Sequence, residues 1–443
     1  MVRAFITLSI LVGLSALLAA AAGPAKADMA GHGGMVRAVD VSADGRLVLS
    51  GSFDFTARLW DFAEQKEIGV LDAHAGPLTN VKFIGIDRAL TASDDKTAIV
   101  WDLKTLKPIK RLEGHQHKVM DLAVSKDAKR VATGSWDRTV RLWDLSQGKT
   151  IRVFRHTTPV NAVAFAEGGK TIAAGGHDGK IWVWNSETGL SKGSLEGHAL
   201  GITGLSTSPD GTKMLSASID KTLRLWDLKT MTEVKIYKEH DGPVYAVTFA
   251  PDGKTALSAG REGTLVQWNL ADGNPIRAIR AIRARKTIVW SVAFSPDGRF
   301  ALTAGSDDLI RVWHLESGDR IGLAAEGDKE PKPWLDSDHP GAKVYKKCAR
   351  CHSLSADGKG RSGPHFAGLF GRAAGSVEGY NYSSALTGVN FRWNKKTLYD
   401  LFDQGPAKYL PGTKMPMQMV PDAEQLNQLV DYLKEITAVK RTE

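Results

Sequence analysis

The sequence predicts two folds in succession, an all-β seven-bladed propeller followed by a small all-α domain. Tryptophan recurs at positions 60, 101, 143, 184, 226, 268 and 313, at spacings of 41, 42, 41, 42, 42 and 45 residues, which is the period of a propeller blade. Each of these tryptophans closes a run of alternating residues, the period of a strand and not of a helix. The repeat stops at Glu326, and the rest of the chain carries helical spacing and both of its cysteines.

At 443 residues the chain has room for more than one domain, and 42% hydrophobic with 24% charged residues is ordinary for a globular protein. The net charge of +9 divides into +2 over residues 1–27, +3 over 28–334 and +4 over 335–443, so no segment is basic enough to argue for nucleic acid. What it favours is an acidic partner for the last quarter. Residues 1–27 read as a signal peptide: Arg3 gives a positive start, residues 4–22 form an apolar run, and Ala25-Lys26-Ala27 is a small-x-small cleavage site before Asp28. A retained anchor is the competing reading, and the cleavage-type ending weighs against it. No other stretch is long and apolar enough to span a bilayer, so the mature chain is expected to be exported, soluble and, in a bacterium, periplasmic.

The propeller is expected over residues 28–326. Thr139-Val140-Arg141-Leu142-Trp143-Asp144 and Thr222-Leu223-Arg224-Leu225-Trp226-Asp227 are alternating strands, and Pro209-Asp210-Gly211, Pro251-Asp252-Gly253 and Pro296-Asp297-Gly298 are turns. An acidic residue stands six places before every repeat tryptophan: Asp54, Asp95, Asp137, Asp178, Asp220, Glu262 and Asp307. Gly-His pairs occur at Gly31-His32, Gly114-His115 and Gly197-His198, with looser forms at His74, His156 and His240. These residues resemble the WD-repeat family over roughly residues 31–326. The resemblance implies that in each blade a His, a strand Ser or Thr, the turn Asp and the strand Trp form one buried hydrogen-bonded set. A buried indole, imidazole and carboxylate are tolerable only if they satisfy one another, so these histidines are expected to be structural and not metal ligands.

Departures mark particular blades. Blade six has Glu262 and Asn269, blade four ends in Trp184-Asn185, and blade seven ends in Trp313-His314 with Ala284-Arg285-Lys286 where others have Gly-His. The basic tract 276–283 reads as an extended outer strand with solvated arginines, a partner contact being the alternative. Residues 28–34 leave too little chain for a closing strand, so the last blade is expected to be completed from its own C-terminal side by residues 320–325. Residues 327–339, with Lys329-Glu330-Pro331-Lys332-Pro333 and Asp338-His339-Pro340, form a short semi-rigid linker.

Residues 340–443 hold the chemistry. Cys348-Ala349-Arg350-Cys351-His352 is the arrangement that covalent attachment of one c-type haem needs: each thiol adds to a vinyl group and the adjacent imidazole reaches the iron. A disulfide redox motif wants a βαβ context, a structural zinc site wants four ligands where this chain has no third Cys, and a simple disulfide leaves His352 unexplained. Residues 341–347 read as a helix entering the motif. Asp422 and Gln425 start another, which puts Leu426, Leu429, Val430, Leu433 and Ile436 on one face. On Tyr409-Leu410-Pro411-Gly412-Thr413-Lys414-Met415 a thioether stands on a Pro-Gly turn, and position alone leaves Met415, Met417 and Met419 between core residue and ligand.

The stretch from Ser362 to Arg372, then Gly379-Tyr380-Asn381-Tyr382-Ser383, Trp393, Thr397-Leu398 and the run to Met415 resemble class I cytochromes c of the mitochondrial and bacterial c2 type. The resemblance implies His352 and Met415 as axial ligands and Cys348 and Cys351 as the haem-bearing thiols. It implies that the Pro364 carbonyl accepts the His352 ring N–H, and that Arg372, Tyr382, Trp393 and Thr413 hold the propionates. Leu386 stands where the family has Asn and Leu401 where it has Tyr, which implies a drier Met side. Lys346, Lys347, Lys408 and Lys414 fall near the expected haem edge, where the family steers acidic redox partners; an ordinary solvated face is the other reading.

The function expected is that of an exported one-electron carrier whose propeller docks a protein partner, and not of an enzyme. An oxidoreductase in which the haem feeds a catalytic site on the propeller or in a bound partner is the first alternative, and a haem-based redox sensor the second.

Overall fold

The structure is a computed structural model. It describes residues 28–282, 288–322, 333–335, 337–350, 352–356, 363–378, 380, 382–413, 415 and 419–438. The signal peptide, Ala284-Arg285-Lys286, linker residues 327–332, Cys351, Lys414 and Met417 lie outside the described residues.

Seven antiparallel sheets, one per repeat, stand around a ring as predicted. Blade one shows the pattern, with strands Val36–Val41, Leu47–Ser52, Ala57–Asp61 and Lys66–Leu71 running from the axis outward. The second strand of each blade is covered on both faces by its neighbours, so it reads as a continuous run of small and apolar residues such as Thr171–Gly176. The outermost strand alternates only weakly because its outer face meets water. Inner strands are tied across blades: the Asp40 carboxylate accepts the Phe83 N–H at 2.9 Å, Asp121 that of Val163 at 2.8 Å, and the Ser291 hydroxyl that of Val39 at 3.1 Å.

The buried set forms in blades one, two, three, five and six. In blade one His32 meets Asp54 at 2.9 Å through Nδ1 and Ser50 at 2.7 Å through Nε2, and the Trp60 indole donates to Ser50 at 2.8 Å. Blade six keeps the set with Glu262 in the acidic place, His240 bridging it to Ser258. Burial opposes ionisation of Asp54, Asp95, Asp137 and Asp220. The facing imidazole, a threonine hydroxyl and backbone N–H groups outweigh it and hold all four well below the usual carboxylate range. Because the folded values lie below the unfolded one, these groups contribute stability that is present above about pH 4 and lost as pH falls. Thermal melts of the propeller are expected to hold between pH 5 and 7 and to drop progressively below about pH 4.

Blade four departs from the expectation. Ala174 occupies the place of Ser50, so His156 Nε2 is buried with no side-chain hydroxyl to meet among the described residues, and Nδ1 turns to the Thr158 backbone at 3.1 Å. Asp178 instead accepts from the Thr157 hydroxyl at 2.6 Å. Burial pushes the His156 pKa down. Ala174→Ser restores the missing hydroxyl between His156 and Trp184 and is expected to stabilise the protein by about 1 kcal/mol, read by denaturant unfolding. Blade seven also lacks the histidine set: Arg311 takes its place against Asp307, while Trp313 still donates to Thr303 at 2.9 Å.

Ring closure corrects the expectation. Met29–Ala30 pairs with Ile310 and Leu309, and Arg320–Ile321 pairs with Trp313 and Val312, so both ends of the propeller share one edge of strand Leu309–His314. Seven residues are too few for a full outer strand, but two suffice when the edge is split. Met29 is fully buried, and the Asp28 carboxylate lies out of water between Arg320, whose Nε donates at 2.8 Å, and Arg311 at 3.8 Å.

The basic tract is an outer strand over Pro275–Arg280, with a difference from expectation. Arg277 is not simply solvated: it donates to the Glu316 and Ser317 carbonyls of blade seven at 2.8 and 3.0 Å. Arg152 and Lys235 make the same reach to Glu187 and Ala271 in the next blades at 2.6 and 2.8 Å.

The C-terminal part is helical: Pro340–Tyr345, Lys395–Gln404, Pro406–Tyr409 and Ala423–Ile436, with single turns at Cys348–Arg350 and Ser384–Thr387. Asp422 caps the last helix by accepting the Gln425 N–H at 2.8 Å, as read from the sequence. The first and last helices cross at Gly341, where a Cβ would come within 2.1 Å of the Gln428 carbonyl. The core joins Tyr345, Leu398, Phe402 and Leu426 to Leu429, Val430 and Leu433.

Candidate functional site

The short turn Cys348–Arg350 follows directly on the first helix and carries Cys348 and His352 into one cavity of about 800 Å³. Every described residue expected at the site lines it: Cys348, His352, Pro364, Arg372, Tyr382, Trp393, Thr413 and Met415. The remaining thiol of the motif, Cys351, lies outside the described residues.

His352 Nδ1 lies 2.7 Å from the Pro364 carbonyl, so Nδ1 carries the proton and donates, leaving Nε2 as the free lone pair. Burial pushes the His352 pKa down to about 4, with the Arg372 charge adding to it against the Pro364 bond, which keeps the ring neutral as a ligand must be. The ring is stacked on Phe366 at 4.1 Å with 16° between planes. Gly363 lies as close to the ring, since a Cβ there would come within 2.3 Å of the imidazole. Gly363→Ala is therefore expected to displace His352 and to cut haem incorporation several-fold, as seen in the haem-to-protein absorbance ratio of the purified chain.

Arg372 donates to the Ala367 and His365 carbonyls at 2.9 and 2.7 Å and pairs its backbone with Trp393 at 2.9 Å, so the guanidinium and the indole are fixed on one wall. Burial lowers its pKa and raises that of Tyr382, whose hydroxyl accepts the Val377 N–H at 3.4 Å. Arg372 Nε and Ser383 Oγ are buried without partners among the described residues and border the cavity. Unspent buried donors on one wall fit the two carboxylates of a haem, which need them out of water. The lining also holds the apolar Leu386, Leu398, Leu401, Phe402 and Leu410, which suit a porphyrin face. Leu386 and Leu401, the two departures from the family pattern, are both among them. Thr413 accepts the Met415 N–H at 3.2 Å, fixing the backbone that presents the thioether. Met419 lines the cavity too but is 46% exposed.

Lys346, Lys347 and Lys408 are exposed, Lys347 at the cavity mouth; Lys414 lies outside the described residues. Among the described residues no three His, Cys, Asp or Glu side chains converge as a separate metal site. Phe366 and Ser383 were not singled out from the sequence, although both lie inside the quoted motifs. Nothing in their spacing marks one as a stacking partner or the other as a spare donor.

A family model described as WD domain, G-beta repeat matches residues 24–61, 65–102, 106–144, 148–185, 189–227, 231–269 and 276–314, and one described as Cytochrome c matches residues 339–437. The cytochrome c of Gibberella zeae is 43% identical over 98 residues, 22% of this chain and 92% of that protein. The small ribosomal subunit protein RACK1 of Caenorhabditis elegans is 31% identical over 223 residues, 37% of this chain and 69% of that protein. Autophagy-related protein 16 of Arabidopsis thaliana is 27% identical over 186 residues, 42% of this chain, which covers only 36% of that protein's length. The chain belongs to the WD-repeat family and carries a C-terminal domain of the cytochrome c family. That domain implies one covalently attached haem c and electron transfer, and the propeller is of the kind that serves as a protein-interaction scaffold.

Proposed function

We propose that this chain is an exported, periplasmic one-electron carrier in which the haem is held by Cys348 and Cys351, ligated by His352 and Met415, and presented to a redox partner that the propeller helps to dock. The observation that carries this reading is that His352 and Met415 line one buried cavity. Two strong-field protein ligands leave no position for substrate, and a thioether opposite an imidazole favours reduced iron at a high potential. Lys346, Lys347 and Lys408 would steer an acidic partner toward the mouth. The compartment rests on residues 1–27, since the relatives named above are fungal, plant and nematode proteins.

The chain produced in a Gram-negative host able to mature c-type haem tests this. Expected are recovery from the periplasm, a mass equal to residues 28–443 plus one haem, and electron exchange with an acidic redox protein that slows as salt rises. Retention in the cytosol without haem would defeat the export reading, and exchange rates indifferent to salt would defeat the docking one.

A further inference from the structure

The haem cavity is not closed by the cytochrome domain alone. Its wall continues onto blade one of the propeller, through Gly33, Gly34, Met35, Phe53 and Asp72. Those residues lie on the rim that carries the blade's His32 loop and its Asp54 turn, and this rim differs from the others in composition. After the blade histidine, blade one has Gly-Gly-Met, whereas blade two has Ala-Gly-Pro, blade three Gln-His-Lys, blade four Thr-Thr-Pro, blade five Ala-Leu-Gly and blade six Asp-Gly-Pro. In the turn, Phe53 stands where other blades have Asp94, Trp136, His177, Ile219 and Arg261. Blade one thus offers a low edge of Gly33, Gly34, Met35 and Phe53 against which a flat porphyrin edge can pack, with Asp54, Thr56 and Arg58 lining the same cavity beside it.

A second observation points the same way. The residue after the turn acid is left-handed in several blades, with φ of 75° at Lys96, 65° at Arg138 and 74° at Lys221, and those three side chains are exposed. Blade one places Phe55 there, at φ 73° and only 6% exposed. A large apolar side chain is an uncommon occupant of that backbone conformation. Phe55 joins neither of the apolar clusters that blade one builds with its neighbours. Phe55 is thus buried at a turn where the repeat elsewhere exposes lysine or arginine, and its chain neighbours Asp54 and Thr56 line the cavity that the rim shares with the cytochrome domain.

We propose that the rim of blade one is a wall of the haem crevice, with Phe55 as the contact that seats the cytochrome domain on the propeller and Phe53 and Asp72 facing the haem edge. The propeller then does more than dock a partner. It covers one side of the crevice, restricts approach to the open sides, and puts a carboxylate next to the redox centre. This rests on a haem in the cavity and needs no natural partner, so it stands or falls apart from the carrier reading.

The test uses the haem-loaded full chain. Phe55→Lys supplies the residue that blades two and five already carry, so the propeller's melting temperature serves as the control for folding. Small-angle scattering is expected to show a larger and more extended particle than the parent chain. Asp72→Lys is expected to raise the midpoint potential, to speed reduction by anionic ferrocyanide about two- to fivefold at low salt, and to slow reduction by a cationic ruthenium ammine, with both rate effects vanishing at high salt. Glu196→Lys, which alters the same place in the repeat before His198, is expected to move none of these. The proposal is overturned if Asp72→Lys behaves as Glu196→Lys does, or if Phe55→Lys scatters as the parent chain does.

Discussion

A Met415→Ala chain is expected to keep its covalently bound haem yet to become high-spin, bind carbon monoxide stoichiometrically and show a lower midpoint potential. The thioether is a soft, neutral donor that favours reduced iron; without it the sixth position opens while His352 stays fixed by the Pro364 carbonyl. Met419→Ala is the comparison. Met419 is 46% exposed and stands beyond the Pro-Gly turn, so its loss is expected to leave spin state and carbon monoxide binding unchanged. Equal effects at the two positions would mean that the ligand had been misassigned. Since Leu386, Leu401 and Phe402 already keep the Met side apolar, the opened position would be entered by a small neutral ligand more readily than by a charged one.

The second large effect is expected at Asp28. Its side chain is out of water and holds Arg320 and, at a longer distance, Arg311, so Asp28→Ala leaves the partly buried Arg320 guanidinium without its carboxylate, while Arg311 keeps Asp307. Breaking such a pair costs on the order of 3–5 kcal/mol. The loss falls where the ring is joined, because among the described residues Met29–Ala30 and Arg320–Ile321 complete the outer edge of blade seven. A fall of about 10 °C in the propeller's melting temperature is expected, at roughly 2–4 °C per kcal/mol for a domain of this class. A melt that did not move would mean that the ring is held by the C-terminal strand alone.

The repeat was legible because a propeller writes its period into the chain. Each blade needs one indole, one acid and one histidine at fixed places, and the seven tryptophans gave both the blade count and the strand that carries each of them. Blade four shows what the period hides. Spacing marked His156 and Asp178 as members of a set, but Ala174, on the strand paired with the one that carries Trp184, decides that the set is not made. Closure was misread for a similar reason: chain length was counted against one full strand, while the structure divides that strand between Met29–Ala30 and Arg320–Ile321. The helix Lys395–Gln404 was also missed, although Asn394 and Thr397 form a capping box and Leu398, Leu401 and Phe402 share a face.

At the haem site, the attachment motif was readable because chemistry demands particular atoms at particular spacings, whereas Met415 stood apart from Met417 and Met419 only through the resemblance to class I cytochromes c. The supports were less so. Phe366 stacks on His352 through a fold contact that no spacing predicts, and Ser383 is conspicuous only as a buried hydroxyl with no partner among the described residues. The wall contributed by blade one was beyond any local reading, because its residues lie some three hundred positions before the motif they face.

The most direct measurement is the visible absorption spectrum of the purified full-length protein, oxidised and reduced, with and without carbon monoxide. A single low-spin c-type haem whose reduced spectrum is unchanged by carbon monoxide is the predicted result if His352 and Met415, as proposed, are the two iron ligands. A high-spin haem that binds carbon monoxide, or a second chromophore, would contradict the account and place a substrate site where none is expected.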